Sequence, residues 1–142
     1  MRSKQVLTRL LRLRELEEEL SRQELEVAAA AHAKVDAEFA QAVRRRTEGR
    51  KEFVAGIREG EMARRIGGLT AMEEARVDEE RIEPKRRAAE EEMSQSRETF
   101  LAFRTGRKQV ETLLDNQRRE VASQDARRAQ QMLDDWFGRR AR

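Results

Sequence analysis

The 142-residue chain contains no cysteine and no tyrosine, one histidine and one proline, and only 4% of its residues are aromatic. Without cysteine it can form neither a disulfide nor a thiolate metal site. It also has no glycine-rich phosphate loop and no metal-ligand spacing, so we expect no enzymatic activity, no cofactor and no metal. With so few aromatic residues the chain cannot fill a wide core. It must therefore either form long helices or be disordered.

Long apolar runs are also missing. The longest, residues 27–31, is mostly alanine and far too short to span a bilayer. The first 19 residues contain no uninterrupted apolar stretch of the kind found in a signal peptide. We therefore expect a cytoplasmic protein.

Charge is abundant but not of one sign. Charged residues make up 42% of the chain, and its 31 basic and 28 acidic residues nearly cancel. Nucleic-acid-binding domains usually concentrate arginine and lysine on one face and add stacking aromatics. Since acids and bases are interleaved here, we expect no nucleic-acid partner.

The strongest positive feature is a seven-residue apolar repeat in the second half of the chain. One a/d frame contains Met72, Ala75, Ile82, Ala89, Met93, Phe100, Phe103, Val110, Leu114 and Val121. Polar residues occupy the remaining a and d positions, namely Glu79, Arg86, Ser96, Arg107, Gln117 and Gln124. So narrow a seam is typical of a helix that packs against one other helix, which predicts an all-α antiparallel coiled-coil hairpin.

The partner helix is predicted at about residues 4–57. Along it, five residues are spaced to lie on one side and form a first seam: Leu10, Leu13, Leu16, Leu20 and Val27. A second seam, which does not continue the first heptad count, is predicted from Val35, Phe39, Ala42, Phe53 and Ile57.

The bend is predicted at about residues 58–70, because four glycines fall in a short window: Gly56, Gly60, Gly67 and Gly68. Thr70 and Glu73 resemble a capping box that opens a second helix over about residues 71–137. Pro84 should kink or break that helix, and residues 138–142 should fray. The whole chain is expected to form a single helical-hairpin domain.

Both ends of the chain should then lie together, with Gln5 close to Gln131. Eight arginines belong to this end: Arg9, Arg12, Arg14, Arg127, Arg128, Arg139, Arg140 and Arg142. The adjacent aromatics Trp136 and Phe137 leave two alternatives open. They contact a partner, or they pack onto Leu7 and Leu11.

Residues 6–31, VLTRLLRLRELEEELSRQELEVAAAA, resemble the start of the FliJ family of flagellar type III export proteins, which follows the pattern LxxLLxLR. Residues 107–136, RKQVETLLDNQRREVASQDARRAQQMLDDW, resemble the second half of that family. The matching positions are Leu113 or Leu114, Arg118, Arg119, Arg127, Gln130, Gln131, Leu133, Asp134 and Asp135. The chain departs from the family pattern at Pro84 and at Asp135-Trp136, where Glu and a small residue are usual.

The resemblance implies a coiled-coil stalk that enters the hexameric ring of the flagellar export ATPase and promotes its assembly. It also implies contacts with export chaperones and with the cytoplasmic domain of the export gate, which would hold the protein peripherally at the inner-membrane export apparatus. By this analogy the ATPase contact consists of Arg9, Arg12, Arg14, Arg127, Arg128 and Trp136. The gate contact consists of exposed apolar residues near the bend, with Phe53, Ile57, Met72 and Val77 as candidates.

Two other functions remain open on the sequence. The chain could be the equivalent stalk of a virulence type III injectisome, which has the same fold and role. It could instead be a self-assembling scaffold in which two hairpins form a four-helix bundle. Because many a and d positions are polar, stable self-assembly is disfavoured and a monomer is expected.

Overall fold

A computed structural model describes residues 2–141, which form two long helices. Helix α1 spans Arg2–Glu59 and helix α2 spans Met62–Arg140, and the two pack against each other as an antiparallel hairpin. No strand occurs in this part of the chain, so the all-α prediction is confirmed. Residues 138–140 are helical rather than frayed, and Arg142 lies outside the described residues. Over the same range, neither helix carries an apolar stretch long enough to cross a membrane.

The bend is much shorter than the predicted residues 58–70. Gly60 has a φ of 70°, and the amide of Glu61 donates to the carbonyl oxygen of Gly56 at 3.0 Å. This is the six-to-one hydrogen bond of a Schellman motif, which ends α1. The carbonyl of Glu61 then accepts from the amide of Arg65 at 3.2 Å and opens α2. Two residues therefore reverse the chain, because a left-handed glycine permits it.

The other glycines near the bend allow close packing instead of breaking a helix. A Cβ built on Gly68 would lie 2.5 Å from the amide nitrogen of Phe53 and 2.6 Å from the carbonyl oxygen of Gly49. A Cβ on Gly56 would lie 2.7 Å from the amide nitrogen of Arg65. The prediction that Gly67 and Gly68 belong to the bend was wrong, and Thr70 lies inside α2 rather than at its cap.

Pro84 does not break α2, which runs through it as one helix. The proline is exposed, while Ile82 is buried and Arg86 half-buried on the side that faces α1. An interior proline removes the hydrogen bond to the carbonyl four residues earlier. That carbonyl belongs to the exposed residue Glu80, so the loss falls on the solvent side while packing against α1 holds the helix.

The heptad frame predicted for α2 is confirmed from Met72 to Gln117. Every a and d position in that range is buried or half-buried, including the five polar ones. The frame also continues backwards to the buried Gly68 and the half-buried Arg65. It stops at the other end, where Val121 and Gln124 are exposed.

The prediction for α1 was wrong in its first half. Leu13, Leu16, Leu20 and Val27 are 51–71% exposed, so they point away from α2. The residues that face α2 follow one heptad frame, in which only the position of Arg46 is exposed: Leu7, Leu11, Arg14, Glu18, Ser21, Leu25, Ala28, His32, Val35, Phe39, Ala42, Gly49, Phe53 and Gly56. Of the second predicted seam, Val35, Phe39, Ala42 and Phe53 are confirmed, but Ile57 is exposed.

The hairpin divides into two compact units. Unit 1 contains Met1–Ser21 and Phe100–Arg142, and unit 2 contains Arg22–Thr99 with the bend. Each unit holds its own pair of helical segments and its own buried residues. The expectation of a single helical-hairpin domain over the whole chain stays a prediction.

Replacing Gly68 with alanine should destabilise the hairpin. Gly to Ala within a helix ordinarily stabilises by about 1 kcal/mol. At Gly68 the added methyl meets backbone atoms of α1, and overpacking of this kind costs about 1–3 kcal/mol. The matched control is Gly67→Ala, where a Cβ meets nothing within 4 Å and stability should rise. Thermal unfolding followed by circular dichroism measures both, and equal effects of the two variants would contradict the close-approach account.

Candidate functional site

In the paired part of unit 1, a few apolar and several polar side chains fill the seam between the helices. Val110 and Leu114 are buried, and Leu7 and Leu11 of α1 are half-buried in the same seam. Below them Arg107 donates to Glu18 across the seam and to Glu111 at 2.8 Å along α2. The hydrogen bond that Arg107 donates to Glu18, followed by the one it donates to Glu111, raises the pKa of Arg107 above its usual range. One guanidinium therefore bridges two carboxylates, one from each helix.

The seam of unit 1 ends where α1 begins. The side-chain amide of Gln117 donates to the hydroxyl of Ser3, one residue inside the start of α1. Every described residue of α2 after Gln117 is exposed. Residues 118–140 therefore form a single helix that no described segment covers, and we call them the terminal extension.

The terminal extension carries the only adjacent aromatic residues of the sequence near its end. The rings of Trp136 and Phe137 meet edge to face, with centroids 5.1 Å apart and an interplanar angle of 77°. The guanidinium carbon of Arg140 lies 4.5 Å from the centre of the Trp136 ring. These three residues form a small cluster with an apolar body and a cationic rim.

Trp136 and Phe137 are 49% and 60% exposed, and they do not pack onto Leu7 and Leu11. Those two leucines belong to the seam with α2. Trp136 lies 19 positions past Gln117, which corresponds to roughly 28 Å along a helix. Packing of the aromatic pair on the start of α1 is therefore excluded, and the partner-contact alternative stays a prediction.

The six residues predicted to contact an ATPase fall into two groups. Arg9 and Arg12 are exposed on α1, and Arg14 lies at the edge of the seam, where it pairs with Glu17 at 3.0 Å. The members on α2, namely Arg127, Arg128 and Trp136, all lie in the terminal extension. The structure does not gather the six into one patch, because α1 begins opposite Gln117 and does not reach the extension's outer half.

The four residues predicted to contact an export gate lie in unit 2. Two of them are exposed and two are half-buried in the seam. Ile57 and Val77 are exposed and available to a partner. Phe53 and Met72 are half-buried at seam positions, so they hold the hairpin together instead of forming an exposed surface. Met72 Cγ lies 3.1 Å from the position of a Cβ built on Gly49.

Polar pairs cross the helix interface of unit 2 at several levels. Arg45 reaches Asp78 at 2.8 Å, and Arg46 reaches Glu79 at 3.0 Å. Further from the bend, Arg86 donates to Asp36 at 2.8 Å and lies over the ring of Phe39, 4.6 Å from its centre. These pairs connect particular residues of α1 and α2, so a shifted register would separate them.

Arg64 ties the helices together beside the bend. It contacts Glu52 and Glu59 of α1, each at 2.7 Å. The hydrogen bond from Arg64, and then its charge, lower the pKa of Glu52 below its ordinary value of 4.5. The two carboxylates raise the pKa of Arg64 still further above its usual range.

Sequence reasoning assigned the wrong face of α1 to the seam in the first half of the helix. Counting back in sevens from Val35 gives Ala28, Ser21, Arg14 and Leu7, which is the observed seam. The leucine row is the more conspicuous pattern, since this frame includes the polar residues Arg14, Glu18 and Ser21. The frame confirmed on α2, which also contains charged a and d positions, was the signal that could have corrected the choice.

Residues 2–141 contain no group of three or more histidine, aspartate or glutamate side chains able to hold a metal ion. The searched family models, curated proteins and solved structures contain no match to this chain.

Spin labels test the stagger of the helices in unit 1. The bond between Ser3 and Gln117 places Gln5 opposite Asp115, not beside Gln131 as first expected. Labels on cysteines introduced at Gln5 and Asp115 should give a short distance, and labels at Gln5 and Gln131 one extended by roughly 24 Å along the axis. Distances measured by double electron–electron resonance that are short for Gln5 and Gln131 would overturn this stagger.

The Glu52–Arg64 pair should make stability depend on pH. Because the pKa of Glu52 is lower when folded, its contribution is present above about pH 4.5 and is lost as pH falls through the folded value. Glu52→Gln should lower the melting temperature at pH 7, and its difference from wild type should vanish toward pH 3. The control Glu48→Gln, at an exposed position on the same helix, should give a difference that changes little with pH. A Glu52→Gln difference that persists at pH 3 would contradict the assignment.

Proposed function

We propose that this protein is a non-enzymatic stalk of a flagellar type III export apparatus, similar to the FliJ family. In this role it binds the hexameric export ATPase and promotes assembly and activity of the ring. The resemblance of residues 6–31 and 107–136 to the family supports this proposal. So does the antiparallel two-helix hairpin, which is the architecture that the family resemblance implies.

The observation that carries the proposal is the terminal extension. It is a single helix, about 10–12 Å across with its side chains, and is therefore narrower than the paired helices. It ends in the exposed cluster of Trp136, Phe137 and Arg140. A narrow helix with an aromatic anchor at its end is suited to enter a ring lumen, because buried aromatics and arginines dominate binding energy in interfaces.

The terminal extension carries several arginines that would attract an acidic partner. Arg127 and Arg128 are exposed near its middle, and Arg139 and Arg140 lie at its end. Acidic loops on the ring would attract these arginines and orient the incoming helix. Arg9 and Arg12 on α1 are proposed as a second contact at the rim, since α1 does not reach the outer half of the extension.

The proposal extends to partners beyond the ATPase. The exposed Ile57 and Val77 near the bend would contact the cytoplasmic domain of the export gate. Phe53 and Met72 would support that surface from within the seam. Export chaperones would also bind the hairpin, and the protein would act in the cytoplasm beside the inner membrane through these partners.

The test is ATP hydrolysis by the flagellar export ATPase from the same organism, with and without this protein, with ring assembly followed by negative-stain microscopy. The wild-type chain should increase both turnover and the number of hexamers. Trp136→Ala combined with Arg127→Ala should abolish stimulation without changing helicity, because both side chains are exposed.

A matched control separates the extension from the paired region. Leu101 is as exposed as Trp136, and Arg104 is exposed on the same helix, so Leu101→Ala with Arg104→Ala should leave stimulation intact. Full stimulation by the Trp136/Arg127 variant would show that the extension is not the contact. Stimulation of an injectisome ATPase, but not of the flagellar one, would favour the injectisome alternative.

A further inference from the structure

Five exposed aliphatic side chains lie on one flank of the hairpin beside the bend. They are between 39% and 61% exposed: Val54, Ile57, Met62, Ile66 and Leu69. In heptads whose a positions include Phe53 on α1 and Met72 on α2, all five occupy e or b positions. Because the helices are antiparallel, the e and b positions of both helices share one flank of the seam, and the g positions share the other. The five side chains therefore form one apolar surface.

Ion pairs between the helices agree with this assignment of flanks. Arg45 and Asp78, which are 2.8 Å apart, are both at g positions. Arg64, also at a g position, contacts Glu52 and Glu59 at g positions of α1, each at 2.7 Å. The acidic residues nearest the bend on α1 are therefore tied to the flank opposite the five aliphatic side chains.

Three basic residues of α1 border the aliphatic surface. Arg50 is at an e position, Lys51 and Arg58 are at f positions next to it, and all three are exposed. Together with Val54 they line one groove. Within residues 2–141, none of the three forms an ion pair. We call the three basic and the five aliphatic residues the bend patch.

The charge on this flank changes sign with distance from the bend. In α1 and α2 between Arg50 and Thr70, no acidic residue occupies an e, b or f position, and Glu61 lies in the bend itself. Further along α2, the same flank contains a groove beside Pro84. The charged residues that line this groove are four glutamates and one arginine: Glu79, Glu80, Glu83, Glu91 and Arg87. The bend patch is therefore basic, whereas the next stretch of the flank is predominantly acidic.

We propose that the bend patch binds the surface of a membrane that contains anionic phospholipids, with the bend directed at the bilayer. Arg50, Lys51 and Arg58 contact the lipid phosphates, and the aliphatic side chains enter the boundary between headgroups and acyl chains. The contact is peripheral and reversible, because it involves only a few side chains at one end of unit 2.

The extent of the bend patch favours a bilayer over a partner helix. An acidic helix of another protein would also complement the three basic residues. The patch, however, extends only roughly 12 Å along α1 from Arg50 to Arg58, which is about two helical turns. A partner helix that continued along this flank would meet the acidic groove beside Pro84, whereas a flat surface touches only the end of the hairpin. Anionic lipid repels the glutamates of that groove, and this repulsion directs the bend toward the bilayer.

The proposal does not rest on the stalk function. Ile57 is the one residue that the bend patch shares with the proposed gate contact, and no residue of the proposed ATPase contact belongs to the patch. Binding through the bend patch adds a direct membrane contact to any attachment that protein partners provide.

Flotation of the full chain with lipid vesicles tests the contact. Wild type should float with vesicles of about 30% phosphatidylglycerol in phosphatidylcholine, and it should stay in solution with phosphatidylcholine alone or at about 0.5 M salt. Each basic side chain near an anionic surface strengthens binding by about fivefold. The triple variant Arg50→Gln, Lys51→Gln and Arg58→Gln should therefore bind about a hundredfold more weakly.

The matched control is Lys85→Gln, Arg97→Gln and Arg104→Gln, which removes the same charges from exposed positions of α2 and should float like wild type. Circular dichroism should show equal helicity for the two triple variants, because all the substituted side chains are exposed. A wild type that does not float, or equal binding by the two variants, overturns the proposal. Binding to poly-L-glutamate without binding to vesicles would assign the patch to an acidic protein and also overturns it.

A fluorescent label tests the orientation, since the chain has no cysteine of its own. An environment-sensitive dye on Ile66→Cys should brighten and shift to shorter wavelength with the anionic vesicles, because this position enters the bilayer boundary. The same dye on Glu91→Cys, in the groove beside Pro84, should not change. A dye at Glu91 that responds as strongly as one at Ile66 would place the side of the hairpin on the bilayer and overturn the arrangement with the bend directed at the membrane.

Discussion

The structure depends on one narrow seam between two antiparallel helices. Its buried apolar residues are small or few: three alanines, Ile82, Val110 and Leu114. A seam with so little apolar area contributes modest stability per residue, since burial stabilises by about 25 cal/mol per Å². The length of the contact compensates for its narrowness. Near the bend, glycines bring backbone against backbone and replace side-chain burial with close van der Waals contact.

Polar pairs give this seam its register. An apolar heptad seam can slide by one repeat at little cost, because each leucine or alanine finds an equivalent neighbour. Arg86 with Asp36 in unit 2, and Arg107 with Glu18 in unit 1, have no such equivalents. The more exposed pair, Arg86 with Asp36, contributes little stability, about 0–1 kcal/mol, so its main effect is on alignment. Alignment in turn decides where α1 begins relative to α2, and thus how much of α2 is left as the terminal extension.

The two surfaces that the hairpin leaves uncovered differ in character. The terminal extension is a lone helix with an aromatic and cationic end, which suits insertion into a partner. The other surface is a row of exposed apolar residues, Val6, Leu13, Leu16 and Leu20, on a helix that is already paired with α2. Both arise because the heptad frame uses only one face of each helix and leaves other apolar residues without an intramolecular contact.

The sequence by itself determined the fold class and the seam of α2. Heptad spacing from Met72 to Gln117 is a local property, and 3.5-residue periodicity survives even where Glu79, Arg86 and Arg107 interrupt it. It did not determine which face of α1 is buried, because two apolar rows compete there and the winning frame contains Arg14, Glu18 and Ser21. Only pairing with α2 decides between them, since Arg107 supplies Glu18 with a partner that no local pattern displays.

Local sequence patterns were also insufficient to locate the bend and to assemble the candidate site. Glycine signals both chain reversal and close approach, and only the neighbouring helix distinguishes Gly60, with its positive φ, from Gly68, which lies against the backbone of α1. The basic residues and Trp136 were identifiable from the sequence as candidates for a partner contact. Their separation was decided by the stagger of the helices, because a one-dimensional sequence fixes neighbours along each helix while tertiary pairing fixes neighbours between them.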